Sequence, residues 1–437
     1  MDDVTVIMLA GGEGKRFWPL SAHKALFSFL GTSVLAYNLS CLAKQGFLRV
    51  LIVSSPNAVA EIRKISIPGM RIDVVIQKEP TGMADGLLSA EKSIKTRSVL
   101  IMNATDVVDE SLYTQVAGAM AKGKQFVVGK LVAQYFDGGY FKMNGNRVSG
   151  MVEKPGEGNE PSKLTNLVFH YYPDIQNFIR EIKKTTSDKD DIYEKALSSV
   201  IEGGDVHIVR YEGSWVPLKY PWHLLDIMDH ILRNKTKEYR GNNVGIKANV
   251  VIEGPVHIGD NVKIFENTKI VGPCYIGENT IIGNNNIIRH SHIDADCVTG
   301  FNTDITRSYV GDGCWFHSNY IGDSVLEKNV TMGSGAVLAN LRLDDGEISS
   351  YVRGSRLNTK RMKLGAIIGE GVRIGINASI MPGIKIGRRS FIGAGVVLDK
   401  DVEDESFCVA NTGYTATKNT RASASSKSRD AYKKYIG

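Results

Sequence analysis

Cysteine is scarce in this chain. Its five cysteines, Cys41, Cys274, Cys297, Cys314 and Cys408, are odd in number, widely scattered, and form no C-x-x-C pair. That pattern argues against a disulfide framework and a zinc site, and fits buried thiols in a reducing cytoplasm. Long apolar runs are missing too. None reaches the length of a membrane span and no secretory pattern opens the chain, so neither a membrane anchor nor export is expected. Excess charge is also less than the net +6 suggests. Residues 414–437 hold Lys418, Arg421, Lys427, Arg429, Lys433 and Lys434 against one Asp, which is +5, so the body is near neutral. Without aromatic or motif context this Ser- and Ala-rich basic tail reads as a solvated end, and no nucleic-acid partner is expected. A more modest role for it is to help hold an anionic cofactor.

What is present falls into two unlike halves. A chain of 437 residues holds roughly two or three domains, each able to bury a core. The first half alternates apolar strands (4–9, 49–54, 73–77, 98–103, 125–130) with helical stretches (33–44, 83–94, 112–121), and a helix at 223–233 closes it. This rhythm predicts an α/β, doubly wound parallel sheet with ligands at the carboxyl ends of its strands. In the second half Ile252, Ile258, Ile264, Ile270, Ile276, Ile282 and Ile288 recur every six residues, and Ile368, Ile374, Ile380, Ile386, Ile392 and Leu398 resume the period. Such a repeat builds a parallel β-helix in which three hexapeptides make one coil and each coil buries its aliphatic row on the next. The expected boundaries are 1–235 for the first domain, 236–245 for a polar linker, 246–413 for the β-helix and 414–437 for the tail.

The most informative segment follows the first strand: Leu9-Ala10-Gly11-Gly12-Glu13-Gly14-Lys15-Arg16-Phe17-Trp18-Pro19-Leu20. Glycine lets the backbone approach a polyphosphate, the exposed N–H groups cradle an anion, and Arg16 adds charge-assisted hydrogen bonds. The spacing is neither the dinucleotide fingerprint nor a Walker loop. Taken whole, with Lys24 before an apolar run, the phrase resembles the signature of sugar-1-phosphate nucleotidylyltransferases. His23 stands where that family usually has proline. The resemblance implies that Leu9, Ala10, Gly11, Gly12 and Gly14 bind nucleotide and that Arg16 and Lys24 are catalytic. Gln77 and Gly82 would read the base, an amide being able to match both a donor and an acceptor; Met83 replaces the usual threonine. Asp106 would hold Mg2+. Glu153-Lys154-Pro155 and Asn166 would hold the sugar phosphate, with Val168 in place of a usual glycine. In Trp215-Val216-Pro217-Leu218-Lys219-Tyr220-Pro221-Trp222 the family's second metal ligand falls on Pro217, which leaves three alternatives: another acid such as Asp226 substitutes, the site holds metal loosely, or the domain has lost transfer activity.

The β-helix half has an irregular middle. Cys314-Trp315-Phe316-His317-Ser318-Asn319-Tyr320-Ile321-Gly322-Asp323 and Met332-Gly333-Ser334-Gly335-Ala336-Val337-Leu338-Ala339-Asn340 break the plain repeat. They resemble the acetyltransferase half of the bifunctional N-acetylglucosamine-1-phosphate uridylyltransferase/glucosamine-1-phosphate acetyltransferases, which are left-handed β-helix acyltransferases. In that light His317 is the base that takes a proton from the sugar amine as it attacks acetyl-CoA. Tyr320 and Asn340 contact sugar phosphate, and Lys363 and Ala394 touch CoA. Residues 341–361, with Arg353, Arg356, Lys360 and Arg361, form an insertion whose charges suit either solvent or phosphate. The family usually forms trimers.

The resulting expectation is a bifunctional enzyme of nucleotide-sugar synthesis with an NTP (UTP favoured), a sugar 1-phosphate and acetyl-CoA as substrates. Two readings stand beside it. One is a single-activity glucose or mannose nucleotidylyltransferase with a structural β-helix, since Phe17-Trp18-Pro19-Leu20-Ser21 resembles mannose-1-phosphate guanylyltransferases. The other is a regulatory subunit that binds sugar nucleotide without turnover, which Pro217 favours.

Overall fold

The computed structural model describes residues 3–12, 14–411, 413, 415–418 and 433; most of the basic tail lies outside them. Four parallel strands form the centre of the first half. Val4–Ala10 lies between Arg49–Ser54 and Ser98–Asn103, and Arg71–Ile76 pairs on the far side of Arg49–Ser54. The near-continuous apolar sequences of the inner three suit burial on both faces, while Arg71–Ile76 at the edge is half-exposed. The expected parallel sheet is extended by antiparallel pairs. Leu164–Tyr172 pairs antiparallel with Ser98–Asn103, and the hairpin Gly139–Asn144/Arg147–Glu153 and the strand Phe126–Leu131 follow. Helices cover the faces. Ile175–Lys184 shows why: Ile175, Phe178, Ile179 and Ile182 fall on one face and are buried, and Asp174 caps the first turn by accepting from the Gln176 N–H.

The second half is a three-faced coil whose three sheets contain eight, nine and eight parallel strands. Inward aliphatics from Ile258 to Leu398 make one continuous core. Ile252 departs from the pattern: it lies in the first coil and is exposed. The first rung, Tyr239–Arg240, falls inside the segment expected to be a linker and the next, Gly245–Ile246, straddles its end, so the coil begins almost directly after the helix His223–Lys235. The irregular middle is a shortening, not a break. One turn takes 18 residues from Lys263 to Ile281, 17 to Val298, 17 to Trp315 and 16 to Thr331, while the strands stay paired. The insertion is an antiparallel hairpin, Ile348–Val352/Ser355–Arg361.

The halves share a core. Phe17, Phe27, Phe29 and Trp222 from the first meet Tyr275, Tyr309, Val325 and Ile367 from the second, and Ile348 and Val352 of the hairpin join them. One face of the coil therefore lies against the α/β domain.

Two candidate active sites

A cavity of about 360 Å3 opens at the carboxyl ends of the parallel strands. Leu9, Ala10, Gly11, Gly12, Lys24, Gln77, Gly82, Glu153 and Lys154 line it. A Cβ on Gly11 would collide with the Gln77 side-chain oxygen, so glycine is what lets this strand end close on the buried amide. Gln77 Nε2 donates to the Gly82 carbonyl (3.0 Å) and to Asp85 Oδ2 (2.8 Å). Both amide hydrogens are spent, so the side chain expected to offer a donor and an acceptor keeps only its acceptor for a ligand. Gly82, at φ +110°, sits where a Cβ would strike the Asp190 carboxylate.

Lys24 opens a short 3-10 turn behind His23. Ala10 O can only accept, so His23 Nε2 donates to it (2.9 Å), and Nδ1 accepts from the Ala25 N–H (3.3 Å). This neutral tautomer ties the loop to the end of the first strand, and burial holds the ring below its ordinary pKa. Burial also pulls Lys24 down to about 8; Arg16 and Lys219 push the same way, and Asp106 opposes them. Lys219 Nζ is 2.5 Å from Asp137 Oδ2. Burial raises Asp106 to about 6 despite the hydrogen bond from Asn103 Nδ2 (3.3 Å) and the attraction of Lys24. Gly14, Arg16, Asp106 and Asn166 are not on the cavity wall. Asn166 and Glu153 flank Gly139, and Asn166 Oδ1 is 2.8 Å from His170 Nε2.

Among the described residues no group of three or more His, Cys, Asp or Glu is placed to hold a metal. Asp106 alone suits Mg2+, which takes one or two carboxylates and completes its shell with water and substrate phosphates. Its raised pKa marks a buried carboxylate that a cation would discharge. Asp226 is not the second ligand. It pairs with Arg361 of the hairpin and lines a different depression, beside Asp109 and His230. That pair also removes Arg361 from the charges available to phosphate. The Pro217 carbonyl is 2.9 Å from His223 Nδ1.

On the coil, His317 occupies the corner between Trp315–Phe316 and Tyr320–Gly322. Its N–H donates to Asn319 Oδ1 (2.8 Å), whose Nδ2 donates to the carbonyls of Gly333 (2.8 Å) and Ala336 (3.0 Å). The turn is thereby fixed while the ring is exposed, with no partner among the described residues. Nearby, Arg307 forms a two-point pair with the buried Asp323 (2.7 Å each), and Asn340 Nδ2 donates to the same carboxylate. Gly322 leaves the room that Asn340 and the Tyr320 hydroxyl fill. Leu364 N–H donates to the Asn340 carbonyl, which brings the exposed Lys363 beside this group. Ala394 lies on the same edge as His317 but three coils further on, roughly 14 Å away at about 4.8 Å per coil.

Residues 5–222 match the nucleotidyl transferase family, and 255–290 and 365–400 match the bacterial transferase hexapeptide repeat. The bifunctional protein GlmU of Methanococcus vannielii is 30% identical over 411 residues, covering 92% of this chain and 96% of that protein. The bifunctional sugar-1-phosphate nucleotidylyltransferase/acetyltransferase of Sulfurisphaera tokodaii is 30% identical over 403 residues, covering 90% and 97%. The chain belongs to this bifunctional family. The shortened coils and the hairpin, with His317, Tyr320 and Asn340, lie between its two hexapeptide stretches, and the strand pattern is consistent with the left-handed winding of such repeats.

Sequence reasoning missed part of what this family member places in its first cavity. Asp190 and Glu194 stand on the wall; burial, with Glu153 and Asp190 adding to it, raises Glu194 to about 7. Both belong to an acidic run that opens a helix, so their signal was indistinguishable from ordinary N-terminal helix chemistry. Lys219 was visible only as the residue two places after Pro217. Arg307 carried no motif at all.

Proposed function

We propose that the α/β half transfers a nucleotidyl group, with UTP the favoured donor, to a sugar 1-phosphate, and that the β-helix N-acetylates an amino-sugar 1-phosphate with acetyl-CoA. In the first reaction a sugar-phosphate oxygen attacks the α-phosphate, and the bond to the departing pyrophosphate breaks. The protein has little covalent work here. Arg16, Lys24 and Lys219 neutralise the phosphates, and Lys154, Glu153 and Asn166 orient the phosphosugar. Leu9, Ala10 and the glycines at 11, 12 and 14 admit the nucleotide, while Gln77 presents its free oxygen to a base N–H. Asp106 would hold Mg2+, which would supply further charge neutralisation.

In the second reaction His317 takes the proton that the sugar amine loses as its nitrogen attacks the thioester carbon; the carbon–sulfur bond breaks and CoA leaves. Tyr320 and Asn340 contact the phosphosugar, and Lys363 and Ala394 border CoA. We place the enzyme in the cytoplasm as a homotrimer. Support for the trimer is that Trp315, Phe391 and Phe407, from 51 to 71% exposed, align on one outer sheet of the coil.

The observation that carries the proposal is the cavity at the strand ends, where Lys24 and Lys154 face the glycine turn and Gln77, with Arg16 and Lys219 helping to depress Lys24. Such mutual repulsion is relieved by a bound polyanion. The test is a panel of sugar 1-phosphates against four NTPs, with and without Mg2+ and acetyl-CoA, read by mass spectrometry. Metal-dependent pyrophosphate release is expected; its absence with every pair would reject the first activity.

A further inference from the structure

The loop that carries Arg16 and Lys24 is held by the β-helix. Between Gly14 and Leu30 the only regular elements are the turn Lys24–Leu26 and a two-residue strand, Ser28–Phe29. The Trp18 indole N–H donates to Asp404 Oδ1 (3.0 Å), and the Leu30 N–H donates to His292 Nε2 (3.2 Å). Phe27 and Phe29 set their edges on Tyr309, with ring centroids 6.0 and 5.4 Å apart. The centre of this grip is Glu327, which follows the rung Val325–Leu326 and is only 4% exposed.

One Glu327 carboxylate accepts from the Ser21 N–H (3.0 and 3.1 Å), the Ser21 hydroxyl (2.9 Å), the Ala22 N–H (2.8 Å) and the Glu370 N–H (3.0 Å). No cation pairs with it among the described residues; the neighbouring Lys328 pairs with Glu370 instead. A buried carboxylate without a countercharge persists only where hydrogen-bond donors converge on it. Here three of the four donors come from the two residues directly before His23 and Lys24.

We propose that Glu327 is a positioning residue for nucleotidyl transfer: by fixing Ser21 and Ala22 it sets where Lys24 and Arg16 stand over the phosphates. This rests on the nucleotidyl-transfer reading above. Glu327 touches no reactant. It belongs to the coil of His317 and Tyr320, and Cys314 Sγ in the core donates to its carbonyl (3.3 Å). One coil thus serves both chemistries, its corner presenting the acetyl-transfer base and the outer face turned to the α/β domain anchoring the phosphate loop. The β-helix is then a working part of the first active site.

The test compares Glu327→Gln with the parent in the full-length enzyme. Glutamine keeps the shape but replaces one oxygen by an NH2 group, so the Ser21 N–H loses one of its two acceptor oxygens, together with the acceptor of either the Ala22 N–H and Ser21 hydroxyl or the Glu370 N–H. Misplacement of catalytic groups by about 1 Å costs on the order of 10²-fold. The expected result is a fall of about 10- to 100-fold in kcat for pyrophosphate release, with KM for both substrates within about threefold and CoA release unchanged. Amide exchange at Ser21 and Ala22 should quicken about tenfold or more while the coil's own amides keep their protection. Ser21→Ala removes the hydroxyl shared between Glu327 and Glu370 but keeps the loop amides, and should give a smaller loss of the same kind. A parent that turns over nucleotide alongside an equally fast Glu327→Gln overturns the positioning role and leaves the activity standing. A loss of both activities with exchange raised throughout the coil overturns it too, because Glu327 would then only stabilise the fold. A parent without pyrophosphate release removes the activity itself.

Discussion

In the α/β half the reactive cations are crowded and half-buried, while on the coil the proposed base stands alone on an edge. Lys24 is drawn to about 8 by burial and by its neighbours, and Asp106 is raised to about 6. His317 has an exposed ring without a partner among the described residues, and its backbone is fixed. The first site is a preorganised cradle whose internal repulsion is relieved when a polyphosphate enters. The second is a rigid corner whose exposed ring is left open to a reactant. A sheet gathers loops from distant strands at one end and so can concentrate charge. A coil exposes one corner per turn and so presents groups singly along an edge.

The largest effect should come from separating the two chemistries. His317→Ala should cut CoA release by about 10²–10⁴-fold while pyrophosphate release stays within about twofold; a parallel loss of both, measured on one preparation, would break the contrast. Arg16→Ala should do the reverse, lowering pyrophosphate release by about 10²–10³-fold and sparing acetylation.

The pH profile sharpens the comparison next. In the proposed mechanism nucleotidyl transfer needs Asp106 ionised and Lys24 charged. In the free enzyme kcat/KM should therefore rise as pH climbs through about 6 and fall as it passes about 8, each limb approaching about tenfold per pH unit. Lys24→Arg should remove the alkaline limb, because guanidinium stays protonated there. An unchanged alkaline limb in that variant would assign it to another group. The smallest effect concerns the wall. Gly82→Ala places a side chain at φ +110° against Asp190 and should lower unfolding stability by about 1–3 kcal/mol in denaturant titration, with KM for NTP rising.

The repeat was legible because each inward isoleucine needs only its own hexapeptide, so Ile258 through Ile288 announce their places without reference to anything distant. The same local reading lost track after Ile288, where shorter turns from Ile281 to Thr331 moved the rungs off the six-residue count. The glycine turn, Lys24 and Gln77 were legible as compact phrases at strand ends. Asp226 was misplaced because its partner, Arg361, lies in an inserted hairpin 135 residues away. Asp190 and Glu194 were hidden in a segment that any helix start would resemble. The bond from Ser21 to Glu327 spans 306 residues, and no local pattern encodes which buried carboxylate a loop amide will meet.

The most direct test of two chemistries in one chain is to supply the wild-type enzyme with an amino-sugar 1-phosphate, acetyl-CoA, UTP and Mg2+, and to weigh the products. The predicted result is a uridine diphosphate sugar that carries one acetyl group, with pyrophosphate and CoA released alongside it. A nucleotide sugar that never gains the acetyl group, or an acetylated phosphosugar that never gains the nucleotide, would contradict the account.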